Sequence, residues 1–231
     1  MSNAFFVAGT DTEVGKTVCS RAIIQSAVAA GVQVAGFKPV ASGSQITPVG
    51  TRNTDALYLQ DASNVELTYE EVNPYTLVEA SSPHLSARKE DIAIEFDVID
   101  SAFAHLKSKS EMVLVEGAGG WRVPVTDEIY LSDWVQRQKL PVILVVGVKL
   151  GCMSHAVLTA EAIERDGLEV VGWVANRINP GLDNYADVIK WLEDKLPGQK
   201  LGEIPYMPGI TKRDLSSYID FSLLASNDTS K

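Results

Sequence analysis

Residues 9–17 read Gly-Thr-Asp-Thr-Glu-Val-Gly-Lys-Thr, a glycine-rich turn ending in Gly15-Lys16-Thr17. It directly follows the apolar run 4–8 (Ala-Phe-Phe-Val-Ala) and opens a helix-compatible stretch at 16–30. A buried strand, a glycine loop and a helix in that order make a phosphate cradle. Loop N–H groups and the positive end of the helix face the anion. In such a loop the lysine reaches the β- and γ-phosphates and the hydroxyl after it ligates Mg²⁺. The usual spacing puts four residues between the first glycine and the Gly-Lys pair, whereas five lie between Gly9 and Gly15. The placement after a strand still favours a site for ATP or GTP over a chance glycine turn.

On either side of this loop, apolar runs rich in Val, Ile and Phe predict strands at 5–8, 32–37, 112–116, 142–148, 170–176 and 200–204. Helical stretches are expected between them, at 16–30, 54–62, 96–107, 130–138, 154–165 and 184–195. Alternation of this kind predicts βαβ units, hence an α/β protein with a mostly parallel central sheet flanked by helices. Strands as uniformly apolar as Val142-Ile143-Leu144-Val145-Val146 suit a sheet covered on both faces. No repeat or linker interrupts residues 1–231, so a single domain is expected. Residues 63–88 have no clear periodicity and read either as a loop-rich insertion over the strand ends or as irregular surface, with a lean to the first.

The composition is that of an ordinary globule, 45% hydrophobic and 22% charged, with 20 basic against 30 acidic residues and a net charge of −10. That balance argues against nonspecific nucleic-acid or anionic-membrane binding. The two cysteines, Cys19 in the first helix and Cys152 in an expected loop, form no metal-ligand or disulfide pattern. No signal peptide is evident and the longest apolar run, 141–148, is too short to span a bilayer, so a reduced cytoplasmic setting is expected. The polar end, 226–231, is expected to fray.

In parallel sheets ligands bind beyond the carboxyl ends of the strands. Lys38 follows the second strand in Lys-Pro-Val-Ala-Ser42-Gly, where it could join Lys16 on one polyphosphate; Lys149 follows the fourth. Asp55, near the start of a helix, is a candidate Mg²⁺ ligand, although Thr54 or Asp55 could equally be a simple helix cap. Glu116 ends the buried Val-Leu-Val strand before Gly117-Ala118-Gly119-Gly120. A carboxylate there is costly unless paired or metal-bound, so Glu116 reads as a third ligand beside Thr17. Asn176, ending the fifth strand before Arg177, could pair with a purine edge or cap a turn. Pro205, Tyr206 and Met207, after the last strand, could wall the base.

Taken in order, GTDTEVGKT, KPVASG, VEGAGG, KLGC, GWVANR and GEIPY resemble the dethiobiotin synthetase family across essentially the whole chain. The loop with one extra residue is that family's own variant. The resemblance implies a P-loop nucleoside triphosphate hydrolase-like fold and an ATP- and Mg²⁺-dependent cyclo-ligase of biotin biosynthesis. Its substrates would be 7,8-diaminopelargonic acid, CO₂ and ATP, and its products dethiobiotin, ADP and phosphate, through a carbamate and a carbamic-phosphoric anhydride. It further implies that Lys38 and Lys16 are catalytic, and that Thr17, Asp55 and Glu116 hold Mg²⁺. Glu13, Val14, Gly15, Lys16, Thr17 and Val18 would cradle phosphate, and Asp55 with Glu116, Gly117, Ala118 and Gly119 would touch ATP. Asn176 and Arg177 with Pro205, Tyr206 and Met207 would surround adenine. Ser42 would lie against the diamine, and Gly151, Cys152 and Ser154 would reach it from the second subunit of a homodimer. Ser154 stands where members carry asparagine, and 208–212 lacks a glutamate that some members place near adenine.

Three rivals fare worse on the residues. A switch ATPase of the division or partition type carries lysine right after the first loop glycine, where this chain has Thr10. A glutamine-dependent amidoligase would need a further domain. A structural nucleotide-binding protein leaves Lys38, Asp55 and Glu116 without a task. Replacing Lys38 by Ala or Gln is expected to lower kcat by ~10²-fold or more and leave the fold intact.

Overall fold

A computed structural model describes residues 3–210 and 213–225. Its central strands are β1 (Asn3–Gly9), β2 (Val34–Phe37), β7 (Met112–Glu116), β8 (Val142–Gly147), β9 (Val170–Asn176) and β10 (Gln199–Ile204). They form one six-stranded sheet in the order β10-β9-β8-β1-β7-β2, every adjacent pair parallel. Side chains alternate across a strand, and here both directions lead into a core. Phe6, Val113, Val115, Leu144 and Trp173 point into one apolar cluster, and Val7, Met112, Leu114, Ile143 and Val174 into the other. That explains the uninterrupted apolar strands in the sequence.

The first cluster is closed by α5 (Phe96–Lys109), α6 (Leu131–Gln138), α7 (Cys152–Arg165) and α8 (Tyr185–Lys195), which contribute Phe103, Trp134, Ile163 and Leu192. The second is closed by α1 (Lys16–Ala29) and α2 (Thr54–Ala62), through Ile23, Ile24 and Leu59, with the short α9 (Ser222–Ala225) nearby. From β1 the chain runs to β2 at one edge of the sheet, whereas from β8, on the other side of β1, it runs through β9 to β10 at the opposite edge. This is the topological switch point where an α/β sheet opens a crevice.

Several short elements were not expected. β4 (Gln45–Thr47) and β5 (Gly50–Arg52) form a small antiparallel hairpin. β3 (Val40–Ala41) pairs with β6 (Tyr75–Thr76). Residues 63–88, expected to be loop-rich or irregular, contain β6 together with α3 (Tyr69–Val72) and most of α4 (Pro83–Lys89). Cys152 is the first residue of α7, not a loop residue, because Gly151 in the left-handed region serves as the N-cap. Cys19 and Cys152 are both buried and free. Among the described residues no helix is long and apolar enough to cross a membrane. Residues 211–212, part of the 208–212 stretch, and the polar end 226–231 lie outside the described residues.

Candidate nucleotide and substrate site

The carboxyl ends of β1, β2 and β7 bring the phosphate loop, Lys38 and Glu116 together. In the register, Val7 of β1 stands opposite Glu116 of β7, and Phe37 of β2 opposite Val115. A cavity of about 400 Å³ opens there, lined by Lys16, Thr17, Lys38, Ser42, Asp55 and Glu116 among others. Residues far apart in the chain thus meet as expected.

The loop itself is bent by two left-handed residues, Glu13 at φ 59° and Gly15 at φ 80°. Turns of this kind aim successive N–H groups to one side, which suits an anion. Gly15 has a second reason to be glycine: a Cβ there would sit 2.1 Å from the Asn176 amide nitrogen. That amide donates to the Val14 carbonyl at 2.8 Å, tying the end of β9 to the loop. The first turn of α1 has no side-chain cap and no acidic residue. Its N–H groups are therefore open to a phosphate.

Glu116 is fully buried. Its Oε1 accepts from Lys38 Nζ at 2.6 Å and from the Thr17 hydroxyl at 2.9 Å. Its Oε2 is equally buried and has no partner among the described residues. A buried charged oxygen without a donor demands an explanation. Asp55, on the second residue of α2, faces the same point, with Lys38 Nζ 3.5 Å from its Oδ2. Neither Thr54 nor Asp55 is the helix cap; Asn53 is, accepting from Asp55 N and Ala56 N. Oxygen donors of this kind, one of them orphaned, fit a hard divalent cation, and Mg²⁺ is commonly held by one or two carboxylates completed by phosphate and water. Among the described residues no cluster of three or more His, Cys, Asp or Glu side chains forms a metal cage.

The surroundings shift the two lysines in opposite directions. Burial pulls Lys16 down to about 8, and the nearby Lys38 charge adds to it against the pull of Glu116, Asp55 and Asp11. Lys16 Nζ donates to the Gly119 carbonyl at 2.6 Å. Burial also acts to lower Lys38, but Glu116 and Asp55 overcome it and hold the ammonium above its ordinary range. Lys38 also donates to the Gly117 carbonyl at 3.1 Å. Lys38 is thus a fixed cation, and Lys16 a cation that an incoming polyphosphate would stabilise.

The remaining expected residues fall into two further groups. Arg177 N donates to the Ile204 carbonyl at 2.9 Å, placing the 176–177 pair beside the exit of β10 and its Pro205, Tyr206 and Met207. Gly151 and Cys152 line a different pocket, about 460 Å³, with Leu150, Met153 and Trp191. They and the exposed Ser154 do not reach the cavity that holds Ser42 within one chain. Lys149 also opens on that second pocket, where it pairs with Asp11 of the loop at 3.1 Å. A third cavity, about 520 Å³, shares Thr12, Glu13, Ser42, Ala118 and Gly119 with the first and extends to Ala80, Ser81, Ser82 and Pro83. The poorly legible segment therefore does lie against the site. The sequence reading missed Thr12 and Asn53, although an Asn immediately before a helix is a standard capping signal.

A family described as an AAA domain matches residues 3–214. The ATP-dependent dethiobiotin synthetase BioD of Photobacterium profundum is 67% identical, over 91% of this chain and 96% of that protein. The protein of the same name from Aliivibrio fischeri is 57% identical over 97% and 99%. Among solved structures, the MinD cell division protein of Aquifex aeolicus matches with TM-score 0.58 at 14% identity, covering 100% of this chain and 99% of that one. A ParA family ATPase from Chlorobium tepidum TLS gives 0.53 at 13% identity, covering 100% and 95%. At such identities these last two show a shared P-loop fold and nothing of shared activity.

Proposed function

The chain belongs to the ATP-dependent dethiobiotin synthetase family, and from that premise we propose how its site closes a cyclic urea. It is an ATP-dependent ligase of biotin biosynthesis that forms dethiobiotin. The observation that carries the mechanistic reading is the hydrogen-bonded set of Lys38, Glu116 and Thr17 beside an uncapped helix start.

The substrates are 7,8-diaminopelargonic acid, CO₂ and ATP. One amine adds to CO₂ and loses a proton, giving a carbamate. A carbamate oxygen then attacks the γ-phosphorus and ADP leaves, forming a carbamic-phosphoric anhydride. The second amine attacks the carbonyl carbon, phosphate departs and the ring is closed. The first transfer drives an anion toward a polyanion, so fixed positive charge is the main requirement. Lys38 supplies it at the reacting oxygens, and Lys16 follows the β- and γ-phosphates. N–H groups of residues 13–18 surround the phosphates.

Thr17, Asp55 and Glu116 would hold Mg²⁺, which when bound neutralises phosphate charge. Asn176, Arg177, Pro205, Tyr206 and Met207 flank the base, while Gly117, Ala118 and Gly119 border the triphosphate. The diamine lies along Ser42, in the cavity that continues to Ala80–Pro83. Gly151, Cys152 and Ser154 open away from Ser42 in the same chain, so a second subunit in a homodimer supplies them to the substrate's far end.

The direct test is mass spectrometry of the product from the diamine, ¹³C-bicarbonate and ATP. The expected product carries one labelled carbon in a cyclic urea, with ATP consumption dependent on both other substrates. ATP turnover indifferent to diamine and bicarbonate would instead indicate a switch ATPase.

A further inference from the structure

Three pieces of the proposed site come from separate segments: Lys38 after β2, Ser42 after β3 and Asp55 on α2. A single run of hydrogen bonds, buried at its centre, joins them. Asn53 caps α2 through Oδ1, which accepts from Asp55 N at 3.0 Å, and its Nδ2 donates to the Ser42 carbonyl at 3.2 Å. The Asn53 N–H donates to the Tyr69 hydroxyl at 2.7 Å. That hydroxyl donates to Asn73 Oδ1 at 2.9 Å. Asn73 Nδ2 closes the run by donating to the Lys38 carbonyl at 2.6 Å and to the Tyr75 carbonyl at 3.1 Å.

The members Asn53, Tyr69 and Asn73 are 2–6% exposed, and neither Tyr69 nor Asn73 lines the cavity. Asn73 has all four of its side-chain hydrogen-bonding positions in use, because Thr76 Oγ1 donates to the same Oδ1 at 2.8 Å. A fully satisfied buried network of this kind is rigid, and each bond in it is stronger for the low dielectric around it. Ordinary packing needs no such route: the network starts at the backbone of one candidate catalytic residue and ends at the helix cap next to a candidate ligand.

We propose that Tyr69 and Asn73 are positioning residues that hold Lys38, Ser42 and Asp55 in mutual register for phosphoryl transfer. The inference rests on the placing of those three residues in the site. Tyr69→Phe removes the linking hydroxyl and keeps the ring, over which the Arg52 guanidinium lies at 4.2 Å. Ser110→Ala is the control: it removes a buried hydroxyl that donates to the Leu106 carbonyl at 2.9 Å, outside the run from Lys38 to Asp55.

Expected for Tyr69→Phe is a fall in kcat of about tenfold or more, with KM for ATP within twofold. Calorimetric binding of Mg²⁺ in the presence of ADP should weaken severalfold, a readout independent of turnover. Ser110→Ala should leave kcat and Mg²⁺ binding within twofold. If Tyr69→Phe fails to fold, Asn53→Ser, which keeps a helix cap and removes the amide donor to Ser42, must show the same kcat and Mg²⁺ losses. The proposal is overturned if the folded Tyr69→Phe (or its substitute) retains both values, or if Ser110→Ala loses as much. Lys38→Ala, run alongside, separates the two levels. An inactive Lys38→Ala beside a normal Tyr69→Phe refutes the network alone, while an active Lys38→Ala refutes the site.

Discussion

Lys38 and Glu116 form an ion pair closed off from solvent, with Nζ 2.6 Å from Oε1 and side chains 5% and 0% exposed. Each makes the other's charge tolerable in a place where neither could stay ionised alone. The pair is also asymmetric. Lys38 has further acceptors in Asp55 and the Gly117 carbonyl, while Glu116 keeps one oxygen without a donor among the described residues.

Replacing Lys38 should therefore harm both rate and fold. Lys38→Gln is expected to lower dethiobiotin formation by ~10²-fold or more. Loss of the buried partner should also destabilise the protein by about 3–5 kcal/mol. The sequence alone led us to expect an intact fold; burial of the pair is what changes that expectation. Urea melts together with rates per folded enzyme separate the two effects, and a near-normal rate would remove Lys38 from the mechanism.

Glu116→Gln keeps the volume and removes the charge. Mg²⁺ binding measured with ADP should weaken by about 10- to 100-fold or more. Lys38 loses the neighbour that contributes most to raising it, so its ammonium becomes easier to deprotonate. Unchanged Mg²⁺ affinity in a folded variant would place the cation elsewhere.

Nucleotide affinity should depend on pH through Lys16. Burial sets its folded value at about 8, against 10.5 for the ordinary side chain. Between these values the unfolded chain binds more protons, so stability from this group rises with pH and its cost is fully present only below about 8. Binding a polyphosphate demands the charged form, so the sign reverses for affinity. ATP binding should hold steady below about pH 8 and then weaken by up to about tenfold per unit. Titrations from about pH 6.5 to 9.5, bracketing that value, check this, and in Lys16→Met the decline should vanish along with most of the affinity.

Gly15→Ala tests the loop. The left-handed backbone costs an alanine about 1–2 kcal/mol, and its Cβ would collide with the Asn176 amide. ADP affinity should fall by about tenfold or more. Asn176→Ala removes the obstacle and should restore part of the loss in the double variant. No restoration would mean that the strain is in the backbone alone.

Much of the fold was legible because the sheet is buried on both faces. Residues 112–116 and 170–176 are strands over the expected span, and 54–62 is a helix over the expected span. Elsewhere ends moved by a few residues, as at α5, which runs two residues further to Lys109. The short elements were invisible because strands of two or three residues and helices of four to seven hold too little of any period to detect. They exist through tertiary bonds such as those of Asn73. Lys16, Lys38 and Glu116 could be found because each lies at or near the end of a buried strand, a position with few alternative uses for a charge. The orphaned Glu116 oxygen, the bond from Asn176 to Val14 and the pairing of Lys149 with Asp11 required three dimensions.

The bare start of α1 carries a lesson about what can be improved here. Two other helices are tied off at their starts by a side chain, α2 by Asn53 and α3 by Thr68. A serine or aspartate in place of Gly15 would be an ordinary way to make a helix sturdier. In this loop the new side chain would be strained and would crowd the Asn176 amide, and any cap it formed would claim the very N–H groups a phosphate must use. Attempts to raise heat tolerance should therefore begin at distant helix ends, since reinforcement here would compete directly with nucleotide.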